Sequence, residues 1–312
     1  MTTDETAGVA VDVPTGTGVD VVVVTYSPGE SLEVFLDSLR RATTRPVRVV
    51  MADNGSTDGA PEAAAAAGRA ELLPTGANLG YGGAANRGAS VVDAEWLVVA
   101  NPDVEWAPGS LDALVAAGRR WPRAGALGPM IVSPDGSLYP SARALPSLGR
   151  GVGHAVLGWF WPGNPWTRSY RQEAEAPTER VTGWLSGSCL LLRRAAFDEV
   201  GGFDDGYFMF FEDLDLCERL AAAGWSSVYV PSARVEHEGG HSWRHSPDAM
   251  VRAHHHSAWR YASRRWSGPR YALLRAVLWV GLEARYVLSK VVRRVGEGAV
   301  ATRRAPEPPP AS

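Results

Sequence analysis

Residues 19–27 read VDVVVVTYS, an apolar run broken by one acid and ending in polar residues. Such a run suits a strand covered on both faces, and burial on both faces belongs to parallel sheets whose crossovers lay helices on each side. The chain then alternates. A helical stretch over about 30–42 leads to the strand VRVVMADNGS, and the alanine-rich helix around 60–68 leads to a third strand in AELLPTGANLG. A helix in GGAANRGASVV precedes a fourth strand in EWLVVANPDV. This βαβα order predicts an α/β fold, Rossmann-like, with a mostly parallel sheet flanked by helices. Polar residues gather where the strands run out: Thr25 and Tyr26, Asp53 and Asn54, Asn78, then Asn101 and Asp103. Open α/β sheets bind ligands beyond the carboxyl ends of their strands, so these residues are expected to share one crevice.

The stretch GYGGAA (80–85) loosely fits a dinucleotide fingerprint. That fingerprint belongs between the first strand and its helix, where this chain has TYSPGES instead. The glycines read equally as a tight packing loop, or as a loop letting backbone and Asn86 approach a single nucleotide. NPDV (101–104) places Asp103 at the end of a buried strand, and VEHEGGHS (235–242) supplies His237 downstream. One Asp, one His and a diphosphate together suffice for a divalent cation, since hard cations favour oxygen ligands. Neither the His254–His256 triplet nor His241 has metal-ligand spacing.

FFEDLDLCERL (210–220) crowds Glu212, Asp213 and Asp215 directly after an aromatic run. Asp215 suits the first turn of a helix over 213–223 closed by Gly224, where negative charge favours the helix dipole. The charge distribution divides the chain. Residues 249–294 carry ten Lys/Arg against one acid, whereas residues 1–248 carry 19 bases against 31 acids. Such an acidic body argues against nucleic acid as a partner. In the basic tail, Leu273, Val277, Val280, Val287, Leu288 and Val291 share one helix face; this reads either as a surface for an anionic membrane or as packing onto the rest of the protein. The longest uncharged run there is seven residues, far below the ~20 a spanning helix needs. The two cysteines, Cys189 and Cys217, fit buried apolar positions in a reducing cytoplasm. The first residues lack the features of a signal peptide. Residues 145–180, rich in Gly, Pro and Trp, read as a lid or as an irregular packed loop.

VVVVTYS, ADNGSTDG, NLGYGGAANRG, NPDV, GWLSGSCLLLRR, GGFDDGYFMFFEDLDLCERL and the late His occur in one order that resembles family 2 glycosyltransferases of the GT-A fold over about residues 19–245. The resemblance implies Asp213 as the general base, with Glu212 positioning the acceptor or tuning the pKa of Asp213. It implies nucleotide contacts from Thr25, Tyr26, Ser27, Asp53, Asn54, Asn78, Gly80, Gly83, Asn86 and Asn101. Trp184, Ser186 and Gly187 would sit by the donor and acceptor sugars. Asp103 and His237 would hold a divalent metal, Mn²⁺ or Mg²⁺, although Asn101 stands where many relatives carry an acid. Further segments, among them GSLYPSAR, RWPRAGALGP and HAVLG, resemble the actinobacterial rhamnosyltransferases of arabinogalactan linkage-unit assembly. That narrower resemblance implies dTDP-L-rhamnose as donor, polyprenyl-diphosphate-linked N-acetylglucosamine as acceptor, and a peripheral place on the cytoplasmic face of the plasma membrane. The expected organisation is a disordered leader (1–18), a GT-A domain (19–248; nucleotide half to about 130, acceptor half from about 131), a basic amphipathic helical tail (249–294) and a disordered end (295–312).

Overall fold

The computed structural model describes residues 18–146, 177–239 and 247–303. The leader before residue 18, most of the 145–180 stretch, His241 and the last nine residues lie outside them. In chain order the elements are β1 (Val19–Thr25), α1 (Ser31–Ala42), β2 (Val47–Asp53), α2 (Ala60–Ala66), β3 (Glu71–Pro74), α3 (Gly80–Ala89), β4 (Trp96–Ala100) and β5 (Val104–Trp106). There follow α4 (Ser110–Arg120), β6 (Ala124–Val132), β7 (Leu138–Tyr139), β8 (Ala142–Arg143), β9 (Arg180–Thr182), β10 (Trp184–Leu185), β11 (Cys189–Arg193) and α5 (Arg194–Glu199). The last are α6 (Glu212–Ala222), β12 (Ser226–His237), α7 (Pro247–Arg265) and α8 (Ala272–Arg303).

The main sheet runs β3-β2-β1-β4-β11-β6-β12-β5. Its first four strands are mutually parallel, as the βαβα pattern predicts. β11 then enters antiparallel to both β4 and β6, and β12 runs parallel to β6. Every residue of β1 is buried, and each interior valine there contributes about 1.5–3 kcal/mol by leaving water. α1 meets the sheet through Leu32, Phe35, Leu36 and Leu39, a helical spacing that leaves Arg40 and Arg41 in its last turn. α3 lies close against β1 because Gly88 has no side chain: a Cβ there would stand 2.4 Å from Val22 Cγ1.

One strand differs from the sequence expectation. EWLVVANPDV is two elements, because the chain leaves β4 at Asn101-Pro102 and β5 pairs with β12 at the far edge. Pro102 has no N–H to continue the β4 ladder. This break brings Asp103 beside the end of β12.

The residues form two units. Those of Met1–Asp205 and Asp213–Gly239 build the sheet unit, and Gly206–Glu212 groups with the residues after Gly239. The unit boundary therefore does not fall at residue 248: the segment leading into α6 belongs with α7 and α8. Within this second unit α7 packs on α8, whose Leu274, Leu278, Leu282 and Tyr286 recur every fourth residue and are partly buried. α8 also continues to Arg303, past the residue 294 at which the sequence places the end of the helical tail. No described helix is long and apolar enough to cross a membrane.

Candidate functional site

The ends of β1 and β2 lie in register, so Thr25 stands beside Asp53. The Thr25 hydroxyl donates to Asp53 Oδ1 at 2.8 Å, and the N–H groups of Gly55 and Ser56 donate to Oδ2 at 3.1 and 3.0 Å. The Ser56 hydroxyl adds a further bond to Oδ1. A carboxylate has about four acceptor positions, and this one is filled from within the chain. Ser27, with φ at 49°, gives its N–H to the Ser56 hydroxyl and takes the Thr57 N–H, fastening the two loops together.

Asn54 is buried and spans the next loop, donating to the Gly80 carbonyl at 3.0 Å and accepting from the Leu79 N–H at 3.1 Å. Asn78 accepts the Gly80 N–H at 3.1 Å, while Gly83 lies so near Leu79 that a Cβ would stand 3.0 Å from its side chain. Asn86 donates to the Phe203 carbonyl and to Asp205 Oδ1, and its own carbonyl takes the Phe203 N–H, all at 2.8–2.9 Å.

Thr25, Asp53, Asn54 and Asn86 are expected from the sequence to contact a nucleotide. Here their polar atoms are engaged with neighbouring loops, because buried polar groups at strand ends must find partners locally. Tyr26, 58% exposed, and the exposed Asn78 are what these ends present outward.

The second cluster forms where β4 ends. β5 and β12 pair with His237 opposite Val104, which sets Asp103 against the imidazole. His237 Nε2 lies 3.1 Å from Asp103 Oδ1 and 3.2 Å from Asn101 Nδ2. Burial works to raise the Asp103 pKa, but the His237 imidazole and backbone N–H groups, Gly239's among them, outweigh it and hold the carboxyl below its ordinary value. One imidazole nitrogen cannot donate to Asp103 and accept from Asn101 at once, so the protein alone satisfies this group incompletely. Two Lewis-base atoms 3.1 Å apart match adjacent ligands of a six-coordinate cation, about 3.0 Å apart when each bond is ~2.1 Å. The donor set therefore fits a divalent metal as a pair. Among the described residues no group of three or more His, Cys, Asp or Glu gathers to hold one unaided.

The third cluster joins the start of α6 to the turn before β11. Glu212, buried, opens the helix and Asp213 follows it. Asp213 Oδ2 accepts the Gly187 N–H at 2.8 Å, and Oδ1 accepts the Leu214 N–H at 2.8 Å. Burial pushes the Asp213 carboxyl above its ordinary pKa, against the pull of these two donors and of the Arg143 charge. A Cβ at 187 would stand 3.1 Å from Asp213 Cβ, so a side chain there would press on Asp213 by a few tenths of an ångström. The Gly187 carbonyl accepts the Tyr81 hydroxyl at 2.5 Å, and the neighbouring Ser188 carbonyl accepts the Asn101 N–H at 2.9 Å. The Ser186–Ser188 turn thus links the Asn101–Asp103–His237 cluster to Asp213. The Ser186 hydroxyl lies 3.2 Å from that of Ser188.

Trp184, expected beside a sugar, lies on the short β8–β10 ladder. It is only 8% exposed, and β10 pairs it with Arg143 on β8, whose guanidinium lies 5.0 Å from its ring centroid. Asp215 is buried and paired with Arg219 one turn on, at 2.7 Å, as its structural reading implies. Arg143 and Tyr81 are site neighbours that motif reasoning misses. Their places depend on strand pairing and on a contact across 106 positions, which no local pattern encodes.

Comparisons with known proteins agree with this arrangement. The family described as Glycosyl transferase family 2 matches residues 20–201, and Glycosyl transferase family group 2 matches residues 164–298. An N-acetylglucosaminyl-diphospho-decaprenol L-rhamnosyltransferase of Mycobacterium tuberculosis is 60% identical over 260 residues, covering 80% of this chain and 85% of that protein. Rhamnosyltransferase WbbL of Escherichia coli is 41% identical over 88 residues, 28% of this chain and 33% of that protein. A crystal structure of GalNAc-T7 with UDP, GalNAc and Mn²⁺ shares the fold, with a TM-score of 0.53 and 17% identity over 70% of this chain and 43% of that one.

Proposed function

The chain belongs to glycosyl transferase family 2, and from that premise we propose that this glycosyltransferase moves L-rhamnose from dTDP-L-rhamnose to a polyprenyl-diphosphate-linked N-acetylglucosamine, inverting the anomeric centre. The observation that carries the substrates is the 60% identity to the mycobacterial rhamnosyltransferase over 80% of the chain. In the step itself, the acceptor hydroxyl oxygen bonds to C1 of rhamnose, the C1–oxygen bond to the nucleoside diphosphate breaks, and the hydroxyl proton passes to Asp213. A carboxylate whose pKa is lifted by burial is a better base than an ordinary aspartate, which supports that role. Glu212 positions the acceptor beside it.

Asp103 and His237 would hold a divalent metal together with the donor diphosphate. When bound, that cation supplies Lewis-acid stabilisation of the charge growing on the leaving group. Asn101 adds no charge to the pair, so the metal depends on the diphosphate for much of its binding. Tyr26, exposed at the end of β1, offers its ring to the nucleotide base. The exposed face of α8 brings the protein to the cytoplasmic membrane surface, where a polyprenyl acceptor resides.

A thermal-shift and transfer assay tests the reading. At 100 times its Kd, a ligand adds about 2.7 kcal/mol of stability. With Mn²⁺ present, dTDP-L-rhamnose should raise the melting temperature more than UDP-hexoses do, and the lipid acceptor should gain one deoxyhexose. A larger shift and faster transfer with a UDP-hexose would reassign the donor.

A further inference from the structure

We infer that Arg143 is a binding residue for the diphosphate of the acceptor, a cationic point separate from the Asp103–His237 pair. The inference rests on the acceptor reading above and extends it to a residue on the short β8–β10 ladder.

Arg143 is held in an unusual way for a charged side chain. Its guanidinium carbon lies 5.0 Å from the Trp184 ring centroid and 5.5 Å from that of Tyr139, so two aromatic faces orient it. Its Nε donates to the Pro140 carbonyl at 2.6 Å. Among the described residues no carboxylate forms an ion pair with it, and neither terminal nitrogen bonds to the protein. Those two nitrogens are not sealed off either, since neither is a buried atom lacking a partner. The result is a planar cation fixed at its base, with its two terminal NH₂ groups unspent. A guanidinium fork of that kind matches phosphate oxygens in geometry as well as charge.

Its location supplies the second argument. β10 runs from Trp184 directly into the Ser186–Ser188 turn that hydrogen-bonds Asp213, and the Arg143 charge is felt at Asp213. An acceptor whose hydroxyl meets Asp213 carries its diphosphate on the same sugar ring, within one residue's reach of the base. The donor diphosphate is already provided for by Asp103 and His237. A surface arginine with only structural work would be expected to pair with a neighbouring acid in so acidic a body, and this one does not.

The test compares Arg143→Gln and Arg143→Lys with the wild type on two acceptors: the polyprenyl-diphosphate N-acetylglucosamine and a neutral alkyl N-acetylglucosaminide lacking any phosphate. Arg143→Gln should raise the KM for the diphosphate acceptor by roughly 10- to 100-fold, the loss of one charge-assisted contact. The KM for the donor should stay near wild type, and the neutral acceptor, assayed well above the Asp213 pKa so that loss of the Arg143 charge does not leave the base protonated, should lose far less than the diphosphate acceptor. Arg143→Lys keeps the charge without the fork and should recover part of the loss. Inorganic pyrophosphate, titrated into the protein in EDTA, should bind the wild type more tightly than Arg143→Gln. Equal losses on both acceptors would mean that Arg143 only supports Trp184, and a raised donor KM would place the nucleotide diphosphate there; either overturns the inference. A wild type that glycosylates neither acceptor sinks the rhamnosyltransferase reading, while the pyrophosphate titration still decides Arg143.

Discussion

At the scale of single residues, the proposed mechanism turns on the protonation of Asp213. A general base works only as a carboxylate, so activity falls as pH falls through the folded-state pKa. That pKa is raised, chiefly by burial, and the charged form is rescued only in part by the Gly187 and Leu214 N–H groups and by Arg143. Cys217, one turn along α6, is pushed up to about 11 and stays neutral at physiological pH. The acid limb of kcat against pH should therefore lie above the ordinary aspartate range. Asp213→Asn should lower kcat by about 10²–10⁴ with dTDP-L-rhamnose affinity unchanged, since the amide keeps the shape and removes the basicity. Substantial turnover in that variant would displace Asp213 as the base. Asp103→Ala should instead weaken donor binding that depends on Mn²⁺; donor affinity unchanged and still sensitive to EDTA would place the metal elsewhere. Asp213, Asp103 and His237 stand out in the sequence because each sits in a short motif, and the structure brings Asp103 and His237 to 3.1 Å of one another. The partners of Asn86 and Trp184 were not legible, because a motif shows which residue is present and not which loop its amide or ring will meet.

At the scale of elements, the segment before α6 carries the cost of its own geometry. Phe210 and Phe211 both have φ at 68°, a region that side chains with a Cβ avoid and that costs of order 1 kcal/mol or more for each. α7 holds them there. The His254 ring lies 5.4 Å from each phenylalanine ring, Phe211 lies 5.8 Å from Tyr261, and the Ser257 hydroxyl donates to the Met209 carbonyl at 2.8 Å. Burial, together with His255 and Arg285, drives the His254 pKa down to about 4, so the ring packs as a neutral group. The segment these contacts hold ends at Glu212, the residue before the base. His254→Ala should thus reduce kcat by roughly 10-fold or more, since truncating a packed ring costs upward of about 1 kcal/mol. The donor KM and the nucleotide-induced thermal shift should hardly change. A donor KM rising in step with the fall in kcat would mean that α7 supports the fold generally rather than this segment. Nothing in AHHHSAWRYA announces such a role. The helical period is readable, but its partner is a loop some forty positions earlier, and the sequence cannot show that pairing. The βαβα half was readable for the converse reason: β1 and β4 are buried along their whole length, and each crossover is local.

At the scale of the whole molecule, the helix that ends the described chain, α8, carries two different apolar stripes. Leu274, Leu278, Leu282 and Tyr286 are partly buried, with Tyr286 against His255 of α7, while Leu273, Val277, Trp279, Val280, Val287 and Leu288 are 45–78% exposed. The sequence poses membrane contact and internal packing as alternatives, but the two stripes are different residues of α8, so one reading does not consume the other. Between Leu273 and Lys290, α8 carries Arg275, Arg285 and Lys290 against a single acid, Glu283, and each basic residue near an anionic surface is worth about 1 kcal/mol. An acceptor confined to the bilayer makes such attachment useful, because it raises the local concentration of a substrate that cannot diffuse to the enzyme. Replacing Leu273, Val277 and Val280 together by Ser tests this without disturbing the packed stripe. The melting temperature should change little, whereas binding to vesicles containing anionic lipid should weaken by roughly 10-fold or more, each buried apolar side chain being worth about 1.5 kcal/mol or more in full burial and less at an interface. Raising the salt should weaken vesicle binding of the wild type further by screening the basic residues. Turnover of the polyprenyl acceptor should fall with vesicle binding, and turnover of a short water-soluble acceptor should not. A folded triple variant that binds anionic vesicles as tightly as the wild type would remove α8 from the membrane and leave its exposed stripe to another partner.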